Sequence, residues 1–329
     1  MPSNLTMTPT FQCPLCQSDQ GHVEQVIQAY RLVRCAACGG LSTFPIPGAD
    51  ALHALYDQSY YQGPEAARFT HPLADAVQRM FRWVRANAIR RRFGGTLRGR
   101  RILDIGCERG AMLAWLQRWG AEVDGVQISE PAAAVAAQSI GADRVWVGEL
   151  AAANYPEASF DHVTLWHVLE HVPDPLALLR EIRRILKPGG TAYVEVPNAG
   201  GWSARHFGAA WLAYDVPRHL VHFTPSVLQA VAQRAGLRCI EERHGSLEYS
   251  PVTLLQSLLN VLLGGEHWLF ETLRQPSESR TWAERLRLAW HVVVAAVLAI
   301  PAIIMSWVLG VLHTGDTMGM YLVRAAEIS

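Results

Sequence analysis

Four cysteines stand in two tight pairs near the start of the chain. Cys13 and Cys16 form one C-x-x-C pair, and Cys35 and Cys38 form a second pair 18 residues later. Each pair lets the backbone of one turn present two sulfurs, and Zn²⁺ prefers four tetrahedral thiolates. The spacing predicts a structural zinc ribbon with no open position for catalysis. Reduced thiols without a metal are the alternative.

A glycine-containing turn, LDIGCERG, runs from Leu103 to Gly110. It follows an apolar run over 101–105 and precedes a helical pattern that begins at Ala111, which is the setting that a nucleotide-binding turn requires. Gly106 allows the backbone to approach a ligand closely, and the first N–H groups of the helix are free to bind polar groups. The turn therefore predicts a cofactor site.

The segments around this turn alternate between strand patterns and helix patterns. Such alternation predicts an α/β fold, with a parallel sheet and helices on both faces. The predicted strands cover 101–105, 122–126, 144–147, 161–165, 191–196, 237–243 and 318–324. The predicted helices cover 72–93, 111–119, 132–139, 175–186 and 224–235.

Composition excludes several classes of protein. Half of the 329 residues are hydrophobic and only 18% are charged, which excludes a mainly disordered chain. Twenty-nine basic residues balance 29 acidic ones, so no nucleic-acid partner is expected. The first residues lack a basic start and an apolar stretch, so we expect no secretory signal and a reducing, cytoplasmic location.

Several passages together resemble the class I S-adenosylmethionine-dependent methyltransferases. The likeness narrows to the subgroup related to ubiquinone-biosynthesis O-methyltransferases with an N-terminal cysteine ribbon, and it covers about residues 11–245 and the last strand. The passages are LVRCAACGGLSTFPIP, LDIGCERG, VDGVQIS, SFDHVTLWHVLEHVPDP, EIRRILKPGGTAYVEVPN and VPRHLVHFTPSVLQAVAQRAGL. The resemblance implies a Rossmann-like sheet of seven strands, the last antiparallel, and S-adenosylmethionine as cofactor.

The resemblance also implies a set of cofactor-binding residues. The turn would line the methionine end of the cofactor, Gln127 the ribose, and Glu149 and Leu150 the adenine, while Trp166 and His167 would flank it. The full set is Asp104, Gly106, Glu108, Gly110, Gln127, Ile128, Glu149, Leu150, Trp166 and His167.

Two of these positions depart from the family pattern. Glu108 replaces the middle glycine of the turn, and Gln127 replaces the acid that usually grips both ribose hydroxyls. A glutamine oxygen can accept a hydrogen bond but lacks charge assistance. These departures keep open a different class of function, in which a degenerate methyltransferase fold acts as a binding module.

The loop after the fourth strand of the predicted sheet indicates the chemistry. It reads His-Val-Leu-Glu-His and lacks the N-P-P-Y pattern of many N-methyltransferases, which favours an oxygen acceptor. His171 is the first candidate for a general base and His219 the second, because a ring pKa near neutral suits the role. The resemblance also implies a divalent-metal alternative, in which His167, Glu170 and His171 stand for a Glu-x-x-Glu-His set.

An apolar stretch near the end of the chain predicts contact with a membrane. Residues 292–312 contain no Asp, Glu, Lys or Arg and are long enough to span a bilayer. A single crossing would place the last strand on the opposite side of the membrane from the other strands of the sheet. Pro301 therefore predicts two short helices in a re-entrant or interfacial hairpin, and nearby arginines fit a cytoplasmic membrane face. A dimer interface or a cap over the substrate site is the alternative.

The sequence thus predicts four units. They are a zinc-ribbon-like module (1–50), a connector with an N-terminal helix (51–100), a methyltransferase domain (101–250 and 314–329) and a hydrophobic helical insert (251–313). The predicted function is methyl transfer from S-adenosylmethionine to an oxygen of a lipophilic or membrane-linked acceptor, such as a quinone precursor or a lipid-linked glycan. A soluble sugar nucleotide or metabolite is the alternative acceptor. The predicted location is the cytoplasmic face of the membrane.

Overall fold

The computed structural model describes residues 10–48, 51–52, 72–264, 267–274 and 280–325. The first nine residues and most of the predicted connector lie outside the described residues. All statements below concern the described residues.

Eleven strands form two sheets within these ranges. In chain order the strands are β1 (Gly21–Ile27), β2 (Tyr30–Cys35), β3 (Leu41–Phe44), β4 (Arg101–Ile105), β5 (Glu122–Gln127), β6 (Val145–Val147), β7 (Phe160–Trp166), β8 (Leu186–Pro197), β9 (Val221–His222), β10 (Leu237–His244) and β11 (Thr317–Arg324).

The larger sheet has seven strands in the order β10-β11-β8-β7-β4-β5-β6. The strands from β8 to β6 run parallel to one another. Strand β11 inserts between β8 and β10 and runs antiparallel to both. The predicted Rossmann-like sheet of seven strands, with the last antiparallel, is therefore confirmed.

Nine α-helices connect or flank these strands in the described part of the chain. They are α1 (Pro72–Arg92), α2 (Ala111–Arg118), α3 (Glu130–Ile140), α4 (Pro175–Ile185), α5 (Trp202–Phe207), α6 (Pro225–Arg234), α7 (Ser250–Leu263), α8 (Trp268–Arg274) and α9 (Trp282–Val311). Capping explains several of the starts; for example, Thr224 accepts a hydrogen bond from the backbone N–H of Val227, and proline occupies the first position of α6.

Two apolar layers cover the larger sheet. On one face, Leu179 and Ile182 of α4 and Leu228 of α6 pack with strand residues such as Val163. On the other face, Ile89 of α1 and several residues of α2 and α3 pack against Ile102 and Val123. Helices on both faces leave the carboxyl edge of the parallel strands as the place where loops meet.

The insert differs from the prediction in one respect. Pro301 does not separate two short helices, because α9 runs without interruption for 30 residues from Trp282 to Val311. A proline removes one backbone donor and crowds the carbonyl four residues earlier. The helix nevertheless continues through Pro301, and the hairpin is made instead by α7 packed along α9.

The smaller sheet joins the cysteine-rich segment to the rest of the molecule. Its antiparallel order is β1-β2-β3-β9, so its fourth strand comes from a segment about 180 residues later in the chain. Cys13, Leu15 and Cys35 also share one hydrophobic core with Leu220 and Phe223. The cysteine-rich segment therefore packs directly on the loop that precedes α6.

Candidate functional site

The glycine turn after β4 closes against the end of β5. The backbone N–H groups of Gly106 and Cys107 both donate to the carbonyl oxygen of Val126, at 2.8 and 3.2 Å. Gly106 has a φ of +75°, and a Cβ there would lie 2.5 Å from a methyl carbon of Val168. Only glycine tolerates both the positive φ and this close contact, so any other residue would strain the turn that leads into α2.

Asp104 forms the floor of the site. Its side chain is buried and accepts a 2.6 Å hydrogen bond from the hydroxyl of Thr164. Burial is the main cause that raises the pKa of Asp104 to about 7. A cation or an ammonium group beside this carboxyl group would favour its charged form, and the carboxylate would then be a strong hydrogen-bond acceptor.

A cavity of about 210 Å³ opens above Asp104. Four of the ten predicted cofactor residues line it, namely Asp104, Gly106, Glu108 and Trp166. Four arginines, Arg79, Arg82, Arg85 and Arg109, also line the cavity together with the carboxyl groups of Asp104 and Glu108, so cationic and anionic groups face the same space. The cavity therefore suits a ligand that carries a carboxylate next to an ammonium group.

Glu108, which replaces the family glycine, points towards α1. Its carboxylate pairs with Arg82 at 2.6 Å, and Arg82 also pairs with Glu248 at 2.6 Å. Arg85 bonds Glu248 at 2.5 Å and lies 4.3 Å from the centre of the Trp166 ring. Glu108 therefore helps to fasten α1 over the cavity.

Arg82 and Arg85 were missed as site residues by sequence reasoning. Both side chains are buried, although charged residues on an amphipathic helix usually face solvent. The one signal was a run of nine arginines without an acid over 79–101, which also fits a solvated helix face or contact with lipid. The partners Glu108 and Glu248 are far away in sequence, so no local pattern identifies the pairs.

Gln127 lies at the end of β5 and is only 3% exposed. Its side-chain oxygen accepts a long hydrogen bond from the backbone N–H of Ser129, at 3.4 Å. Its Nε2 has no hydrogen-bond partner within the described residues, although it is buried. An unsatisfied buried donor is costly, and a hydroxyl of a bound ligand would satisfy it.

The other predicted cofactor residues do not line the cavity. Ile128 and Glu149 are exposed, Leu150 is buried in the core, and Gly110 packs against Ala136. Their roles stay predictions.

His167 lies behind the cavity wall, between two buried carboxylates. Its Nδ1 is 3.3 Å from Glu170, and its Nε2 is 3.3 Å from Glu195. Burial would lower the pKa of His167, but the two carboxylates raise it to about 10. Burial would likewise raise the pKa of Glu170, but His167 and the neighbouring imidazoles lower it to about 2. The three side chains form a buried ionic triad.

The rings of His171 and His219 meet edge to face, with ring centroids 4.6 Å apart. Nδ1 of His171 lies 2.9 Å from the carbonyl oxygen of Arg218, and Nδ1 of His219 lies 2.8 Å from that of Ala213. Donation from Nδ1 to a carbonyl leaves Nε2 as the basic nitrogen of each ring. Burial is the main cause that lowers the pKa of His171 to about 4, with His219 adding to it, so this imidazole is neutral at pH 7.

Glu170, His171 and His219 also form a possible metal-ligand set. Their ligand atoms all lie within 4.8 Å of one another. Two atoms bound to one ion at about 2.1 Å lie at most about 4.2 Å apart, so this spacing is close to what a shared ion requires. The resemblance implies His167, Glu170 and His171 for this role; the structure brings His219 to the cluster, and His167 lies between Glu170 and Glu195, outside the set.

The four paired cysteines converge as the spacing predicts. Sγ of Cys13 lies 3.6 Å from Sγ of Cys38, and Sγ of Cys16 lies 3.5 Å from Sγ of Cys35. None of the four forms a disulfide, and all four sulfurs lie within 4.8 Å of one another. Tetrahedral thiolates around Zn²⁺ are about 3.8 Å apart, so the cluster needs little movement to hold the ion.

Comparison with known proteins decides the family. A family model described as a methyltransferase domain matches residues 66–242, which is more than half of the chain. The chain belongs to this methyltransferase family. It is thus an S-adenosylmethionine-dependent methyltransferase, in keeping with the seven-stranded sheet and the glycine turn.

Named relatives agree with this assignment. The chain is 31% identical over 182 residues to a ubiquinone biosynthesis O-methyltransferase from Ralstonia nicotianae, covering 52% of this chain and 73% of the relative. It is 35% identical over 167 residues to a protein of the same name from Xanthomonas campestris pv. campestris, covering 47% and 69%.

A solved structure shows the same fold. Phosphoethanolamine N-methyltransferase 2 from Haemonchus contortus, solved with S-adenosyl-L-methionine, has a TM-score of 0.53 and 19% sequence identity. The match covers 87% of this chain and 63% of that chain. At this identity the similarity supports the fold alone.

Proposed function

We propose that this methyltransferase transfers its methyl group to an oxygen of a lipophilic or membrane-linked acceptor. One observation carries the choice of oxygen: the neutral imidazole of His171 and the ring of His219 stand together beside Glu170, at the carboxyl end of β7. A hydroxyl nucleophile benefits from a nearby group that accepts its proton. The pKa of about 4 keeps the His171 ring unprotonated at pH 7 but makes it a weaker base than the near-neutral imidazole that the sequence predicts, so the carboxylate of Glu170 beside it would have to stabilise the imidazolium that forms.

The cofactor fits the cavity by its chemistry. Asp104 would accept hydrogen bonds from the ammonium group of the methionine end, and the arginines of α1 would attract its carboxylate. Gln127 would donate from Nε2 to a ribose hydroxyl, which would satisfy this buried donor. Glu149, Leu150 and Ile128 follow β5 and β6 and are the proposed neighbours of the adenine.

The proposed reaction is an in-line displacement. The acceptor hydroxyl gives its proton to Nε2 of His171 or of His219, and its oxygen forms a bond to the methyl carbon. The bond between that carbon and sulfur breaks, and the electron pair stays on sulfur, so that the sulfonium becomes the neutral thioether of S-adenosylhomocysteine. The protein mainly aligns the two reactants and excludes water.

Two metals remain proposals. Cys13, Cys16, Cys35 and Cys38 would hold a structural Zn²⁺, because their sulfurs already lie at nearly tetrahedral spacing. Glu170, His171 and His219 would hold a catalytic divalent ion, which as a Lewis acid would lower the pKa of the acceptor hydroxyl. The plain histidine base requires no bound ion and is therefore the preferred form of the proposal.

The names of the relatives guide the choice of acceptor. Because proteins at 31–35% identity are called ubiquinone biosynthesis O-methyltransferases, we propose a quinone precursor as the first acceptor to test, and a lipid-linked glycan as the second. The long exposed apolar helix supports a lipophilic acceptor at the cytoplasmic face of a membrane. Methylation of a soluble sugar nucleotide would not require this exposed apolar helix.

The test uses S-adenosylmethionine with a deuterated methyl group. Purified protein is incubated with either a detergent-solubilised membrane-lipid extract or a soluble-metabolite extract, and mass spectrometry locates the label. A deuterated methyl group on an ether oxygen of a lipid supports the proposal. Deuterated methyl groups found only in soluble metabolites overturn the choice of acceptor. Binding of S-adenosylhomocysteine without label in either extract would favour the non-catalytic alternative. The variants His171→Gln and His219→Gln should both bind S-adenosylhomocysteine normally, and the variant that removes the base should lose most of the label.

A further inference from the structure

Helix α9 exposes an apolar surface along its whole length. Side chains on this surface are 55–70% exposed: Trp290, Val293, Val297, Ile300, Ile304, Trp307 and Val311. At 100° per residue, the exposed apolar side chains of α9 cover an arc of roughly 220° around the helix. The buried residues His291, Ala302, Ser306 and Leu309 cover only about 60°, and they face α7. We call the exposed side the apolar arc.

Charged residues are arranged around this arc rather than within it. No acid occurs between Glu284 and Asp316. Arg285 and Arg287 lie at the two borders of the apolar arc. Along the helix they precede Trp290 by about one turn. A helix with this arrangement binds the boundary between acyl chains and headgroups, with the arginines beside anionic phosphates.

The sheet fixes both ends of the insert on one side of any bilayer. The chain leaves β10 at His244 and returns to β11 at Thr317, and these two strands are hydrogen-bonded neighbours. Helix α9 is long and apolar enough to cross a bilayer by length and composition. A crossing would nevertheless separate β11 from β10, and insertion by the far tip would draw Glu284, Arg285 and Arg287 through hydrocarbon.

We infer that α9 lies in the plane of an anionic bilayer, with the apolar arc among the acyl chains and Arg285 and Arg287 among the headgroups. A second copy of the chain is a poorer occupant. A paired helix buries a narrow seam of about two positions in seven, whereas this arc spans more than half of the helix circumference. Lipid contacts every side chain of so wide an arc at once.

This placement would bring the acceptor side of the catalytic site to the membrane, a consequence that rests on the proposed function. Helix α7, which carries α9, contacts the segment that leads to His219. Ser257 accepts a hydrogen bond from the backbone N–H of Leu212, and Asn260 donates to the carbonyl oxygen of Ala210, both at 2.9 Å. Docking of α9 would therefore hold the segment that carries His219 close to the membrane surface.

Vesicle flotation tests the docking surface. The full-length protein is mixed with vesicles of phosphatidylcholine alone or of equal parts phosphatidylcholine and phosphatidylglycerol. We expect stronger binding to the anionic vesicles, and binding at least about tenfold weaker for Val297→Asp and for Ile304→Asp. Val26→Asp is the matched control, because Val26 is 61% exposed on β1, away from the arc, and should float like the parent.

Thiol labelling tests the orientation. Cysteines introduced at the exposed positions Glu284 and His313, near the two ends of α9 and on the side of the helix opposite the apolar arc, are treated with a membrane-impermeant maleimide after the protein binds to sealed vesicles from outside. Peptide mapping should show that both cysteines react. Protection of one end only would mean a crossing and would overturn the in-plane placement.

Other outcomes would overturn the docking itself. These are equal recovery of Val297→Asp and the parent from anionic vesicles, or a stable dimer that Val297→Asp converts to monomer while vesicles capture neither form. Binding of S-adenosylhomocysteine, measured on the same preparations, keeps this result separate from the proposed function. A protein that binds the cofactor product but not vesicles refutes the membrane inference alone.

Discussion

The hydroxyl of Thr43 donates a 2.6 Å hydrogen bond to the backbone carbonyl oxygen of His219. The same oxygen of Thr43 lies 3.0 Å from Nε2 of His222, and the backbone N–H of Thr43 donates to the carbonyl of Leu220. On the far side, the N–H of Leu220 donates to the carbonyl of Glu170. One residue of the cysteine-rich segment therefore fixes the backbone that carries a candidate base.

Replacing this hydroxyl should disturb the histidines without affecting the cofactor. Thr43→Val leaves a buried carbonyl without its donor, which typically costs about 1–3 kcal/mol, and His219 should shift. We expect changed NMR signals of His219 and His222, a turnover lower by about tenfold and unchanged affinity for S-adenosylhomocysteine. Thr43→Ser keeps the hydroxyl and should restore the parent behaviour. Equal behaviour of the Val and Ser variants would mean that the bond does not position the histidine.

The cysteine cluster should bind one zinc ion per chain. Cys35→Ser removes one of four ligands, so we expect loss of the metal and a lower melting temperature, because a closed zinc site contributes directly to folding. Cys239→Ser is the control, since Cys239 lies on β10 outside the cluster. Elemental analysis gives the stoichiometry. A second ion per chain that disappears in His219→Ala would place a metal at the histidine cluster and contradict the plain-base proposal.

Gly106 should be irreplaceable because any side chain there would clash with Val168. Gly99 has a similar φ without such a clash and is the matched control. Gly106→Ala introduces a side chain at φ +75° and 2.5 Å from Val168, whereas Gly99→Ala introduces one at φ +74° with nothing within 4 Å. Both variants carry a backbone cost of about 1–2 kcal/mol. Only Gly106→Ala should also lose most of its affinity for S-adenosylhomocysteine by calorimetry. Combining it with Val168→Ala should recover part of that affinity; no recovery would show that the clash is not the cause.

Gln127→Glu should lower the stability of the protein but raise its affinity for S-adenosylhomocysteine. A carboxylate at this buried position would keep only the long hydrogen bond from the backbone N–H of Ser129 in the free protein, so the free energy of unfolding should fall by about 1–3 kcal/mol. Two ribose hydroxyls would then donate to the charged group, so affinity for S-adenosylhomocysteine should rise several-fold. Gln127→Leu should lose affinity. If neither variant changes affinity, residue 127 does not contact the ribose.

The triad of Glu170, His167 and Glu195 should make stability depend on pH in two directions. The pKa of His167 is raised to about 10, so its contribution is complete below about pH 6.5 and is lost as pH rises towards 10. The pKa of Glu170 is lowered to about 2, so its contribution is complete above about pH 4.5 and is lost as pH falls towards 2.

The check is a set of melting temperatures between pH 5 and pH 10. The parent should lose stability steadily above about pH 6.5, and His167→Gln should show a lower but flatter profile in that range. Parallel profiles for the two proteins would mean that His167 is not held as an imidazolium.

The strands and the cofactor turn could be predicted because their signals are local. The apolar runs at β4, β5 and β7 and the LDIGCERG turn each lie within a short window of sequence. The cysteine cluster was predictable for the same reason, since its spacing reflects the geometry of the ion. The continuity of α9 through Pro301 could not be predicted locally, because α9 packs along α7, a contact that a proline signal does not reveal.

The site's polar partnerships could not be predicted, because they join residues that are distant in sequence. Arg82 meets Glu248, Thr43 meets His219, and His167 meets Glu195. Which residues pair depends on how α1, β3 and β8 pack, and many arginines and glutamates of this chain would have served equally well on sequence grounds. The replacement of the family glycine by Glu108 illustrates this, since its partner lies on a helix that precedes the turn.

The position of β11 between β8 and β10 has a consequence for biosynthesis. A ribosome makes the apolar α9 before it makes β11, and β10 is an edge without its neighbour until β11 arrives. The nascent chain therefore presents its most lipophilic segment while the sheet that binds the cofactor is still open. If α9 docks on a bilayer as proposed, adsorption would come first and closure of the sheet by β11 second.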